Sequence, residues 1–158
     1  MASVIKRDDR LIAVGVLLAS ILVTVSAIWM PWATYRTGVL TMSFRSGWLD
    51  VLLVTCGVVA LVLGGLSFSR KSPALLGVLS AIACAAVVAS IALALASLKD
   101  ANDIVMIHAS SSQTSYGIGS VVGVAASVLL AVLSVMKFKS VRSQVPRLAT
   151  TQEDLSAR

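Results

Sequence analysis

The sequence predicts an all-α membrane protein: a four-helix antiparallel transmembrane bundle with a small extracytoplasmic β-like cap. Of its 158 residues, 58% are hydrophobic and only 13% are charged, whereas soluble domains carry about 25% charged residues. Four apolar runs reach the length of about 20 residues that a helix needs to cross a hydrocarbon core of about 30 Å. Basic residues cluster beside these runs, which is typical of membrane topology signals and not of nucleic-acid binding.

Residues 1–10 form a predicted cytoplasmic tail, and residues 11–31 form the first span. Asp8 or Asp9 is expected to cap the helix, where a carboxylate satisfies free amides and complements the positive helix end. The apolar run is longer than the 7 to 15 residues of a secretory signal, so it is read as a span.

Three tryptophans flank the first loop, and their amphipathic rings suit the headgroup layer. Trp29, Trp32 and Trp48 are therefore predicted to be interface anchors. Between them, the β-branched and aromatic residues from Thr34 to Phe44 predict a strand, a turn and a second strand. The second span covers 49–67, with Asp50 in its first turn.

Serine followed by proline at Ser72-Pro73 predicts the start of the third span, at residues 74–98. A second long loop follows, in which the apolar run 104–107 predicts a third strand laid against the first two. The fourth span covers 117–137, and Lys137 is expected at its C-terminal end, where a cation is favourable.

The four spans make one membrane domain, residues 11–137, followed by a basic and largely flexible cytoplasmic tail, residues 138–158. Any continuation of the fourth helix is expected to end at Pro146. Thr150 and Thr151, ahead of an acidic pair, are possible phosphorylation sites in this tail.

The distribution of cations sets the predicted orientation. The N-terminal tail holds 3 of the 13 Lys and Arg residues, the C-terminal segment counted from Lys137 holds 5, the turn after the second span holds 2, and the long loops hold 2 and 1. Cytoplasmic segments are enriched in these residues, so both termini are expected in the cytoplasm of a plasma (inner) membrane.

Few side chains in the sequence could take part in catalysis, proton transfer or metal binding. The spans carry no ionisable side chain away from their ends, which argues against a proton-coupled pathway. Cys56 and Cys84 lie inside apolar runs and are expected to act as small hydrophobic residues. His108, with Asp100 and Asp103, lacks the defined ligand spacing of a metal site. The sequence predicts no enzyme activity, no cofactor and no bound metal.

Small residues at four-residue spacing predict where the helices approach each other, because close backbone contact supplies the packing between helices in lipid. The predicted helix-packing residues are Gly57 and Gly65 on the second span, Ala81 and Ala85 on the third, and Gly119, Gly123 and Ser127 on the fourth. Packing within one bundle is favoured over a homo-oligomer face, although such stripes serve both purposes.

Trp29, Pro31 and Trp32, with Gly38, Gly47 and the four spans, resemble small four-helix actinobacterial membrane proteins of uncharacterised function. Those proteins often carry a Pro-Trp pair just outside the first span, and the resemblance implies topology without an activity. The architecture is also similar to claudin-like tetraspans. The first loop lacks their paired cysteines and Gly-Leu-Trp segment, so a junction-forming role is not implied.

These observations predict a non-enzymatic accessory, scaffold or assembly subunit of a membrane or cell-envelope complex. Its expected partners are the lipid bilayer and a membrane protein or a second copy of itself, with no nucleic acid. The alternative is a small conduit or a transporter of lipid or another small substrate. In that case the hydroxyls of the spans would line the path: Thr55, Ser80, Ser90 and Ser127. Most such hydroxyls instead bond to their own helix backbone.

Overall fold

The computed structural model describes residues 2–37, 40–44, 47–69, 72–108 and 113–156, and it describes side chains within 10–36, 47–67, 72–103 and 114–142. Four helices and three short strands follow one another along the chain. They are α1 (Ala2–Trp29), β1 (Ala33–Thr37), β2 (Leu40–Phe44), α2 (Gly47–Ser69), α3 (Pro73–His108), β3 (Gln113–Tyr116) and α4 (Ile118–Ser156).

The helices form an antiparallel bundle in which neighbours along the chain also pack together. Helix α1 packs against α2 and α4, and α3 packs against the same two helices. Consequently α1 lies diagonally across from α3, and α2 lies diagonally across from α4. All four helices are long and apolar enough to cross a membrane, and the predicted bundle of four long apolar helices is confirmed. The apolar segments are Arg10–Trp29, Gly47–Ser67, Pro73–Asp103 and Ile118–Arg142.

Two predicted helix starts are confirmed. Helix α3 begins at Pro73, and the amide of Leu76 donates to the carbonyl of Ser72 at 3.2 Å. Proline suits this first position because its missing amide would have no partner inside the helix. Asp50 lies in the first turn of α2, where its negative charge interacts favourably with the positive end of the helix dipole.

Other predicted helix ends are wrong. Helix α1 begins at Ala2, so Asp8 and Asp9 lie within it and are not caps. Helix α4 passes through Lys137 and Pro146 and ends at Ser156. Proline inside a helix removes one hydrogen bond and produces a kink or a break. A long helix that is already nucleated gains a bond with each added residue, so it can continue beyond such a site.

The three strands form one antiparallel sheet in the order β2-β1-β3. The predicted hairpin is confirmed, with Thr34 opposite Ser43 on β2 and opposite Ser115 on β3. The predicted third strand at 104–107 is wrong, because α3 continues to His108 and β3 lies at Gln113–Tyr116. The run 104–107 extends a helix that is already formed. Extending a helix costs less conformational free energy than nucleating a new element.

The sheet lies at the end of the bundle where α1 and α3 finish and α2 and α4 begin. We call this the sheet end and the opposite end the far end. The bundle interior is closely packed by aliphatic side chains, alanines and serines, with Trp32 at the sheet end. Tyr35 on β1 is also buried, so the sheet is attached to the bundle through its central strand.

Candidate functional site

The junction between α1 and β1 is built around Pro31 and Trp32. Trp32 is completely buried, and its indole Nε1 donates to the carbonyl of Ser26 at 3.1 Å. A buried indole N–H needs such a partner to offset its desolvation. The ring therefore fixes the direction in which the chain leaves α1 and enters the sheet.

The start of α4 fits closely around this junction. The amides of Gly117 and Gly119 donate to the carbonyls of Trp32 and Pro31, each at 2.9 Å. A Cβ on Gly117 would overlap the carbonyl of Pro31, and one on Gly123 would overlap the ring of Trp32. Glycine is required here because the backbone of one segment touches the other. Together these contacts join α1, β1 and α4.

The predicted interface anchors divide into two kinds. Trp29 is 78% exposed and Trp48 is 71% exposed on the outer surface at the sheet end, whereas Trp32 is 0% exposed. Trp32 is therefore not a surface anchor. The proline that follows α1 turns the chain inward, so the second tryptophan of the Trp-Met-Pro-Trp sequence packs into the bundle.

The sheet presents polar groups to its surroundings. Arg36 and Ser115 are exposed, and the hydroxyls of Thr34 and Ser115 are hydrogen-bonded at 2.9 Å. The Thr114 hydroxyl donates to Oδ1 of Asn102 at 2.6 Å, which ties β3 to the end of α3. The described polar surface of the sheet end is therefore ordered by bonds between its own elements.

The predicted helix-packing residues fall into two groups. Gly57 is buried against Thr24 of α1, Gly119 and Gly123 contact the Pro31-Trp32 junction, and Ser127 is completely buried. In contrast, Gly65, Ala81 and Ala85 are exposed, and a Cβ on Gly65 would meet nothing within 4 Å. These three residues are exposed and not buried between helices, which corrects the prediction.

Neighbouring residues make those contacts instead. On α2, Gly64 packs beside Val16 of α1, and on α3 the alanines Ala83 and Ala86 are completely buried. Both helices are apolar on every side, so hydrophobicity does not distinguish the inner face from the outer one. On α2, the inner face could have been identified from the seven-residue spacing of Gly57 and Gly64. This spacing is typical of helices that pack along a seam.

The four hydroxyls named for a conduit are hydrogen-bonded to the backbones of their own helices. Thr55 is exposed on the outside of the bundle and donates to the carbonyl of Val51 at 2.7 Å. Ser80, Ser90 and Ser127 donate to backbone carbonyls of their own helices. This back-bonding occupies the hydroxyl proton and leaves less polarity for a passing solute.

Among the described side chains is a buried cation whose burial the sequence did not predict. Lys137 is 7% exposed, and its ammonium donates to the hydroxyl of Ser67 at 2.5 Å. Ser67 lies on α2, diagonally across the bundle from α4. The sequence predicted Lys137 as a cation at the C-terminal end of the fourth span, and sequence spacing does not show which way such a side chain turns.

The remaining candidate groups are scattered. Cys56 is half-buried, Cys84 is exposed, and neither forms a disulfide. Asp100 and Asp103 are exposed on α3 and not in a loop, and the side chain of His108 lies outside the described residues. Among the described side chains, no three His, Cys, Asp or Glu groups are close enough to hold a metal ion.

Comparison with protein-family models, curated proteins and solved structures found no match for this chain.

Proposed function

We propose that this chain is a non-enzymatic integral membrane protein that serves as an accessory, scaffold or assembly subunit of a membrane or cell-envelope complex. In this proposal the far end faces the cytoplasm and the sheet is an extracytoplasmic cap. The positive-inside rule supports that orientation, because the terminal segments 1–10 and 137–158 and the turn after α2 hold 10 of the 13 Lys and Arg residues.

The observation that carries the proposal is the contrast between a closed interior and an accessible exterior. The inward-facing hydroxyls Ser20, Ser90 and Ser127 are bonded to their own backbones, while the exposed part of the sheet displays Arg36 and hydroxyl groups. A bundle of this kind is suited to contact with other molecules and not to passage through its centre.

The exposed face of α3 supports a contact within the membrane. Ala81, Cys84 and Ala85 form a patch of small side chains on the outer surface of the bundle. Small residues allow a second helix to approach closely in lipid, where the hydrophobic effect contributes little between helices. The exposed part of α4 instead carries larger side chains such as Val128 and Leu129.

Photo-crosslinking in native membranes tests the proposal. A benzophenone amino acid replacing Ala85 should capture a membrane protein or a second copy of the chain. The same group replacing Val128, which is 45% exposed on α4, should capture mainly lipid. If the Ala85 variant crosslinks only to lipid, the subunit role on this face is wrong.

A further inference from the structure

The sheet has two faces with different surroundings. Side chains alternate between the two faces along each strand. On β1, Ala33 and Tyr35 are buried. Thr114 of β3 pairs with Tyr35 and donates its hydroxyl to Asn102 of α3, so these residues lie on the face that packs against α3. The alternate residues lie on the opposite face, which we call the outer sheet face.

The outer sheet face is composed of polar residue types. The side chains of Arg36 and Ser115 are exposed, and that of Thr34 is partly exposed. Neighbouring strands lie about 4.8 Å apart. The pairing of the strands groups six residues on this face in two rows, Ser43–Thr34–Ser115 and Thr41–Arg36–Gln113. By residue type, the face therefore combines one guanidinium with hydroxyls and an amide, and Arg36 lies on the central strand.

The charge of the strands favours an anionic ligand. The three strands contain Arg36 and no Asp or Glu, and Arg45 follows β2 directly. The carboxylates whose side chains are described lie instead on α2 and α3: Asp50, Asp100 and Asp103. A guanidinium presents a planar set of donors that matches the two oxygens of a carboxylate. The exposed Arg36 is therefore suited to bind a carboxylate at the middle of the outer sheet face.

The other residues of this face indicate the chemistry of the rest of the ligand. Stable protein interfaces are centred on aromatic or large apolar side chains, and none of the six residues of the outer sheet face is of that type. Hydroxyl and amide groups both donate and accept hydrogen bonds, which suits a ligand that is itself covered with hydroxyls. A sugar chain that carries carboxylates combines both features.

We propose that the outer sheet face binds an acidic polysaccharide. Arg36 pairs with a carboxylate of the sugar chain, and the hydroxyls of Thr34 and Ser115 bond to sugar hydroxyls. The bond between those two hydroxyls, at 2.9 Å, uses only one of their two protons and leaves acceptor sites on both oxygens. This site is additional to the subunit role, from which it takes only the orientation that places the sheet outside the cytoplasm.

Calorimetric titration of the purified full-length chain with oligogalacturonate, a chain of sugars that each carry a carboxylate, tests this site. The protein is kept in an uncharged polyoxyethylene detergent, because a sugar-headed detergent would compete. The wild type should bind, and R36Q should bind roughly tenfold more weakly, since charge-assisted hydrogen bonds are lost. K99Q is the matched control and should bind as the wild type does. Lys99 is an exposed cation at the same end, on α3, which packs against the other face of the sheet.

Two milder variants separate recognition from charge and from folding. R36K keeps the charge but loses the planar guanidinium, so its affinity should lie between those of R36Q and the wild type. T34V keeps the branched shape of Thr34 and removes its hydroxyl, so it should bind several-fold more weakly than the wild type does. Neither side chain is buried, so both variants should show the tryptophan emission of the folded wild type.

Four results overturn the proposal. The first is no binding of oligogalacturonate by the wild type, and the second is equal affinity of R36Q and the wild type. The third is equal affinity for polyglutamate and oligogalacturonate, which would indicate an acidic peptide or charge alone. The fourth is equal affinity for uncharged dextran, which would show that no carboxylate is recognised. None of these results bears on crosslinking at Ala85, so the subunit role can fail or succeed independently.

Discussion

At the scale of single residues, several close contacts of this bundle depend on glycine. Because glycine has no side chain, a neighbouring helix or ring can approach its backbone. Gly57, Gly64 and Gly123 each lie where a methyl group would press on a neighbouring helix or on Trp32. Dispersion forces and close backbone approach supply much of the stability of helices packed in lipid. Adding one carbon at such a position is therefore more disruptive than its size suggests.

Gly123→Ala should destabilise the protein, and Gly65→Ala should not. A Cβ at residue 123 would lie 2.7 Å from Cζ2 of the buried Trp32 ring, and overpacking of this kind costs about 1–3 kcal/mol. A Cβ at residue 65 meets open space, and alanine is the better helix former by up to about 1 kcal/mol. Titration of both variants with SDS in mixed micelles, followed by tryptophan emission, measures the difference. Equal stability of G123A and the wild type would contradict the close Trp32 contact.

Four-residue spacing of small residues predicts some of the contacts between helices and not others. Gly119 and Gly123 have this spacing, and both touch the Pro31-Trp32 junction. Ala81 and Ala85 have the same spacing but are exposed. Helix α3 carries alanine on several sides, so spacing alone does not identify the buried one.

At the scale of elements, the length of α3 explains how the sheet is supported. Its 36 residues span about 54 Å at 1.5 Å per residue, which exceeds a hydrocarbon core of about 30 Å. The helix contacts all three strands, and Ala101, on its final turns, is completely buried. The end of α3 therefore supplies a surface on which the sheet packs.

Ala101→Phe should detach the sheet from α3 while leaving the four spans intact. A large side chain at a completely buried position should cost about 1–3 kcal/mol, and the strain would fall on the short strands. Hydrogen exchange should become faster at the amides of β1 and β3 but not in the bundle. Asp103→Phe is the matched control, because Asp103 is exposed two residues away. Unchanged exchange in A101F would show that the sheet does not depend on this surface.

The number and order of the helices could be predicted because a run of about 20 apolar residues has few alternatives in lipid. Strand β3 could not be placed correctly. Its sequence, Gln113-Thr114-Ser115-Tyr116, is mostly polar, whereas 104–107 is the apolar and partly β-branched run that resembles a strand. Pairing with β1 determines where the strand forms, and that pairing is not encoded locally.

At the scale of the whole molecule, the two ends of the bundle differ in chemistry. Exposed aromatic rings and carboxylates lie at the sheet end, beside the two exposed cations Arg36 and Lys99. The far end carries the exposed cations Arg10, Lys139 and Arg142, and none of the described carboxylates lies there. In the orientation that we propose, the far end faces the cytoplasm, as expected if its cations remain on that side during insertion.

The exposure of the tryptophans also predicts how the molecule sits in a bilayer. Trp29 and Trp48 are largely exposed, and Trp32 is buried at the same end. In vesicles whose lipids carry bromine near the glycerol end of their acyl chains, wild-type emission should be strongly quenched. The W29F/W48F variant, which retains the buried Trp32 and its bond to Ser26, should lose much less of its emission.

Unfolding the W29F/W48F variant in SDS provides the control, because Trp32 should then become accessible to a soluble quencher. If the folded variant is quenched by brominated lipid as strongly as the wild type, Trp32 faces lipid and the junction with Gly123 does not form. If neither protein is quenched, Trp29 and Trp48 lie outside the hydrocarbon boundary. The sheet end would then lie farther from the hydrocarbon core than it does when Trp29 and Trp48 occupy the headgroup layer.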